Sequence, residues 1–333
     1  MGTRILVLSF CLLLSLAAFA QQEPQPPADS NPSGESAKAN ETAPAGARDN
    51  SPALDLTPDA NGKLSQEQMQ QLFRVVAAKD RENDKLQRNY TYTERQVENR
   101  LDKKGQTKSS EVHTYEILEI YGEQVQRLIA KNDKPLNAKD AAKEDEKIQK
   151  IIDKRKNESE DERRKREEKE EKEREDDRKF TQEVADAYDF KLMGTEAVNG
   201  REAWVIDGEP RPGFQPHMKE SKFLPKFHGR VWIDQGDLQL AKMDVECLDT
   251  ISWGLFLARF HKGSRFMLEQ TRVNDEVWLP RQLAVKVDAR LALLKSLDVD
   301  IEQSFRDYKK FRTSSKIVGM GELPDSKDVP DPK

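Results

Sequence analysis

The chain is poor in the residues that most often carry chemistry. Among its 333 residues are two cysteines, Cys11 and Cys247, and four histidines, His113, His217, His228 and His261, scattered over different segments. It contains no H-E-x-x-H, C-x-x-C, G-x-S-x-G, Walker or G-x-G-x-x-G phrase, so metal, nucleophile and nucleotide sites have no sequence handle. No metal, no cofactor and no catalysis are therefore expected; acids such as Asp207, Asp234 and Asp244 sit at strand ends or outward strand positions, where solvated carboxylates belong. An excess of one charge is also missing. The 56 Lys and Arg against 61 Asp and Glu leave a net charge of -5, which points away from a nucleic-acid partner. Long apolar runs are absent after the first 20 residues, so no later segment reaches the roughly 20 residues of a membrane-spanning helix.

The exception is the N-terminus, MGTRILVLSFCLLLSLAAFA: Arg4, an apolar run from Ile5 to Leu16, then Ala18 and Ala20 around Phe19. This is the layout of a cleavable secretory signal, residues 1–20, and implies export to an envelope compartment. Cys11 follows Phe10, where lipid-modifying peptidases need a small residue, so acylation there is not expected. With the signal removed, Cys247 stands alone, no internal disulfide can form, and the thiol reads as a small core residue.

Residues 21–63, rich in Pro, Ala, Ser, Asn and Gly, lack the large apolar side chains needed to offset the entropy of ordering and read as a disordered leader. Ser65 and Gln68 form an S-x-x-Q capping box that opens a helix with Met69, Leu72, Phe73, Val76 and Ala77 on one face. Three strands follow, beginning with the alternation of Tyr90 and Tyr92. Between Ala138 and Lys179 lies an acid–base interleaved run that reads as one long exposed helix, about 60 Å if continuous, anchored at its ends by Ile148, Ile151 and Ile152 and by Phe180, Val184 and Tyr188. From Phe190 to Phe311 the pattern is strand and turn. Val277, Leu279, Leu283, Val285 and Val287 share one face of a strand, and Leu297, Val299, Ile301 and Phe305 one face of another, with polar residues opposite. The sum is an α+β fold: an unclosed antiparallel β-barrel of about 9–11 strands with covering helices and a long charged helical insertion (138–179), spanning residues 64–318 and followed by a flexible tail, 319–333.

One stretch breaks the alternation. In ISWGLFLARFHKGSRF, Trp253, Phe256, Leu257 and Phe260 fall together at helical spacing, while a strand would be apolar on both faces. It reads as a short helical or looped connection, serving either as a plug over the core or as a lid at the mouth of a groove. A ligand groove and a core draw on the same aromatic residues, so the candidates for a lining are Phe73, Val76, Tyr92, Tyr115, Trp204, Trp232, Trp253, Phe256, Leu257, Phe260 and Phe266. Arg259, Lys262 and Arg265, with His261, would meet anionic headgroups in the lid reading.

The helix, the three strands starting NYTYTERQ, the V-N-G-R-E-A-W-V-I hairpin, G-R-V-W-I-D, and V-N-D-E-V-W-L-P-R-Q with a last strand into F-R-D-Y-K-K-F resemble the outer-membrane lipoprotein-sorting family. These are the LolA/LolB-like periplasmic carriers, with RseB-type envelope-stress sensors as fold relatives. The resemblance covers residues 64–318 and implies an apolar half-barrel cavity that receives lipid or lipoprotein acyl chains in the periplasm, with transient contact with a membrane surface. The alternative is an envelope-stress sensor or scaffold that binds a protein partner through the charged arm. The insertion at 138–179 departs from the compact carriers, and no functional residue of theirs maps onto a position here.

Overall fold

The computed structural model describes residues 54–311 except 103, 122, 254–257 and 292–294. The capping box forms as expected: Ser65 Oγ accepts from the Gln68 amide while the Gln68 side chain accepts from the Ser65 amide, and helix α1 (Gln66–Gln87) follows. Strands β1 (Tyr90–Leu101), β2 (Thr107–Ile120), β3 (Glu123–Lys131) and the two-residue β4 (Lys134–Pro135) form a meander. Then come helices α2 (Ala138–Lys156) and α3 (Glu160–Ala187). Strands β5 (Tyr188–Val198) and β6 (Arg201–Pro210), a 3-10 turn at Ser221–Lys226, β7 (Phe227–Asp234) and β8 (Leu240–Cys247) come next. The short β9 (Ile251–Trp253) and β10 (Ala258–Phe260) precede β11 (Arg265–Val273), β12 (Val277–Leu291) and β13 (Lys295–Lys310).

All thirteen strands belong to one antiparallel sheet. Eleven run in the order β4-β3-β2-β1-β13-β12-β11-β8-β7-β6-β5, and β9 and β10 branch off β12. Its two ends, β4 and β5, are not paired with each other, so the barrel is unclosed. Register shifts between β1 and β13, β2 and β3, β5 and β6, β7 and β8, and β11 and β12 place bulges along the sheet, and bulges bend and twist the strands that carry them. Turns at Asn132–Asp133, Asn199–Gly200 and Asn274–Asp275 have positive φ at both central residues, the geometry that matches strand twist in a two-residue hairpin.

The sheet separates two apolar layers. Leu268, Leu283, Val285, Val287, Val299 and Ile206 face the concave side, where α1 and α3 cover them with Met69, Leu72, Phe73 and Val184. On the convex side a smaller cluster holds Val198, Ala203, Val205, Trp232, Ala241 and Trp278. Residues 54–63, expected as part of the leader, lie along the edge strand β5: Leu64 N donates to Phe190 O, Leu192 N donates to Gly62 O, and Leu56 is buried in the main core. That segment covers the unpaired backbone of an edge, where another chain would otherwise add.

The charged run is not one helix. A second capping box, Ser159 with Glu162, starts α3, and Asn157 ends α2. Glu158 sits in the joint, taking Arg155 Nη1 at 3.1 Å and both Arg166 nitrogens at 3.0 Å. The run is also less detached than its composition implies. Ile148 is buried, Arg127 of β3 donates to Asp145 at 2.7 Å, and the last turns of α3 pack beside α1. Because β4 and β5 lie at opposite ends of the sheet, the α2–α3 pair is the crossover between them.

The far end of α1 is pinned by polar groups. Asn83, 4% exposed, accepts from Trp278 N at 2.7 Å and donates to Trp278 O at 2.9 Å, which also accepts from Gln87 at 2.8 Å. Asn83→Ala leaves a buried amide N–H without its acceptor, and a loss of about 1–3 kcal/mol in denaturant unfolding is expected.

Candidate functional site

On β7, alternation puts Phe227, Gly229, Val231 and Ile233 on the concave face. Ile206 and Gly208 of β6, Met243 and Val245 of β8, Phe266 of β11, and Tyr188 and Phe190 of β5 join them. The roof comes from two helices: Phe73, Val76, Ala77 and Asp80 at helical spacing on α1, and Phe180, Thr181 and Val184 on α3. Between roof and sheet lies a cavity of about 230 Å³. Its lining is almost wholly hydrocarbon. Among its polar side chains, Thr181 Oγ1 donates to Asp177 O at 2.9 Å and the Tyr188 hydroxyl donates to Leu224 O at 2.7 Å, with burial pushing that phenol up.

Two glycines face each other at the hollow, and only one of them leaves space. Gly208 and Gly229 are register partners on β6 and β7. A Cβ on Gly208 would come within 3.1 Å of the Phe190 ring and 3.3 Å of Gly229 O, whereas a Cβ on Gly229 would meet only Val245 Cγ2, at 3.9 Å. Backbone angle does not demand glycine at 229, and neighbouring atoms leave room for a side chain. What the missing side chain leaves is empty space against the roof.

The structure sorts the aromatic candidates. Phe73, Val76 and Phe266 line the cavity. Trp204 and Phe260 belong to the same concave core beside it. Tyr92 is concave-facing but distant in the sheet, against Phe305 and Tyr308 of β13 at ring separations of 5.9 and 5.7 Å; half-buried Tyr115 stacks near His113 at 6.1 Å. Trp232 is on the wrong side for a lining residue. It lies in the convex cluster, its Nε1 donating to Glu196 at 2.8 Å with Lys242 Nζ 4.7 Å from its ring. Flanking Val231 and Ile233 are the inward residues, so the indole between them must point out.

The aromatic stretch from Ile251 is also corrected. Ile251–Trp253 and Ala258–Phe260 pair as antiparallel strands, and the second pairs with β12, where a short helical or looped connection was expected. Phe256 and Leu257, like the side chains of Trp253 and Arg259, lie outside the described residues. Lys262 is exposed in the following turn. Arg265 is held on the solvent face by both oxygens of Asp244, apart from the concave cavity.

Three further groups lie outside the cavity, and of them Glu94 was not singled out from sequence. Glu94, 4% exposed, faces inward on β1, and burial raises its carboxyl above the usual range even though Gln126 and Gln303 both donate to it, at 3.1 and 2.6 Å. A carboxyl with a raised folded-state pKa loses stability as pH climbs through that value. Glu94→Gln is therefore expected to melt higher than wild type at pH 8, the gap closing towards pH 4 in thermal melts. On the convex face, Asp207, Glu209 and His228 offer three ligand atoms within 4.8 Å. His228 Nε2 lies 3.0 Å from Asp207, and Arg230 Nε already takes the other Asp207 oxygen at 2.6 Å, so an ion-pair network accounts for the cluster. Cys247 is buried, its Sγ 2.9 Å from Asp249 O, and burial pushes the thiol up, away from reactivity.

No family model and no curated protein matches the chain. Solved structures do. A domain assigned to outer-membrane lipoprotein sorting, from Vibrio parahaemolyticus, is 12% identical with a TM-score of 0.30, over 73% of this chain and 93% of its own. A LolA-superfamily protein from Nitrosomonas europaea gives 9% and 0.27, over 75% and 95%. LolA-superfamily and lipoprotein-sorting domains are thus among the structures this chain resembles. A DUF1329-family protein from Desulfovibrio piger gives 11% and 0.25, over 74% and 94%. Among the described residues no helix is long and apolar enough to cross a membrane.

Proposed function

We propose that this chain is a periplasmic carrier that holds an acyl chain of a lipid or lipoprotein in the half-barrel cavity and contributes to outer-membrane lipoprotein sorting. The observation that carries the reading is the hollow kept between β6–β7 and the α1–α3 roof, mostly apolar and widened by a glycine its backbone does not require. Each methylene withdrawn from water there contributes about 0.8 kcal/mol. At about 230 Å³ the cavity is smaller than ligand pockets of roughly 300–1,000 Å³, which suits part of one chain rather than several. A roof of two helices that the sheet does not enclose leaves a route for loading and release. The signal-like N-terminus, residues 1–20, supports export to the periplasm.

Native mass spectrometry of protein purified from the cell envelope tests the reading. Adducts of one lipid or acyl-chain mass, regained by stripped protein on adding acyl peptide or lipid, are the expected result. A bare mass with no uptake would overturn it.

A further inference from the structure

A second space of about 550 Å³ lies between α1 and α3 beside the cavity, and Phe73, Ala77 and Thr181 line both. Its walls are unlike those of the cavity. Arg74 and Arg81 on α1 and Arg88 at its C-cap recur every seven residues, about two turns apart, and Arg178 on α3 lines the same groove. The carboxylates that border this groove are occupied. Asp84 pairs with Arg88 at 3.6 Å, and Asp186 accepts the amides of Gln66 and Gln70 at 2.8 and 3.0 Å; Asp80 and Asp177 also have partners. Arg178 is paired with Glu171 at 3.3 Å. Arg74 spends one N–H on its own helix, at Gln70 O, and among the described residues neither Arg74 nor Arg81 makes an ion pair.

We propose that this arginine groove binds the anionic head of a single-chain lipid whose tail enters the apolar cavity, so that the preferred ligand class is an acyl chain ending in a carboxylate or phosphate. The proposal rests on the carrier reading and narrows it. Charge complementarity selects the occupant: two guanidiniums without a carboxylate line a groove that shares Phe73, Ala77 and Thr181 with a hydrocarbon hollow, and a guanidinium forks onto two oxygens of a carboxylate or phosphate. An uncharged acyl chain gains the cavity alone, while an anionic one gains both spaces. Together these fall within the usual range for a ligand site. The groove is open to water, so the charged contact supplies preference between chains more than total affinity, and added salt weakens it.

Calorimetric titration with dodecanoate, dodecanol and acetate tests the proposal, on wild type and on the Arg74→Gln/Arg81→Gln double variant. Wild type is expected to bind dodecanoate at least tenfold more tightly than dodecanol at low salt, with the ratio shrinking in 0.5 M NaCl. The double variant, whose replaced side chains are exposed, is expected to bind both alike, near the wild-type affinity for dodecanol. Acetate is expected not to bind measurably. Equal wild-type affinities for the two chains, or a preference that survives in the double variant, would overturn the headgroup assignment and leave the carrier reading standing. Acetate binding as tightly as dodecanoate would make this a free-anion site and overturn it too. Binding of neither chain would overturn the carrier reading and this inference together. Should the double variant fail to fold, the wild-type comparison and its salt dependence still decide.

Discussion

The Gly229→Leu variant is expected to take up at least tenfold less acyl chain than wild type while melting at a higher temperature. The two effects have one cause. The new side chain grows from an inward position on β7 into space that now holds nothing within 3.9 Å of its Cβ. Burying a leucine contributes about 1.5–3 kcal/mol, and removing a glycine from a strand interior relieves roughly 0.5–1 kcal/mol of entropic cost. The same atoms occupy the volume proposed for ligand. Gly208→Leu is the contrast, because its Cβ would press on the Phe190 ring and on Gly229 O at 3.1 and 3.3 Å, so a lower melting temperature is expected there. Native mass spectrometry and differential scanning calorimetry on the two variants read both quantities. A Gly229→Leu protein that loads normally would mean that the cavity is packing slack and not a binding site.

The second large effect is structural and lies far from the cavity. Asp234, 1% exposed, receives Arg201 Nε and Nη2, each at 2.7 Å, and the Asp237 backbone N–H, also at 2.7 Å. Asp237 in turn accepts from Trp278 Nε1 at 2.9 Å and pairs with Arg272 at 3.0 Å, and the Arg201 guanidinium lies 5.6 Å from the Trp278 ring. This network closes the convex end of β6, β7 and β12 over the smaller core. Burial alone would raise the Asp234 carboxyl, but the Arg201 fork and the backbone donors outweigh it and hold the group below the ordinary range. Arg201→Ala leaves that carboxylate buried and unpaired, and a loss of about 3–5 kcal/mol is expected. The sign of the pH dependence follows from the lowered folded-state value. The contribution is complete above the unfolded pKa and disappears as pH falls through the folded one, so wild type and variant converge in acid. Urea melts between pH 7 and pH 3 check this, and a constant difference across that range would place the effect outside the ion pair.

Much of this architecture was legible from residue order, for reasons particular segments make plain. The Ser65–Gln68 box and the alternation of Leu283, Val285 and Val287 are local signals that survive translation into three dimensions, while a bulge at Pro280–Gln282 puts Val277 and Leu279 with Tyr90 in a cluster of their own. The S-x-x-E phrase at Ser159–Glu162 is just as local, yet it is immersed in charged residues that are all good helix formers, and composition masked the break between α2 and α3. Trp232 failed for a different cause. Indole size invites a place in a binding site, but period two ties its direction to its neighbours, and inward Val231 and Ile233 oblige it to face out. The pairing of Ile251–Trp253 with Ala258–Phe260 was hidden because each strand is only three residues long, too short to show a clean period. Gly229 was missed because a cavity is made by what a residue lacks. The phrase F-H-G-R-V-W-I-D carried the clue in its alternation, where the gap at the third position sits on the apolar face.

Strand order also sets how this molecule must come into being. Within the sheet β1 lies between β2 and β13, with Glu94 beside Phe305, so the first long strand finds its second neighbour only in the last. Residues from Tyr90 to Pro135 form one meander by themselves and those from Tyr188 to Leu291 another, each from near-neighbour contacts. Joining them closes a loop of some two hundred residues, and such distant pairings are slow to form. As the chain is made, the N-terminal strands therefore wait, with one edge unpaired, until β13 has been synthesised.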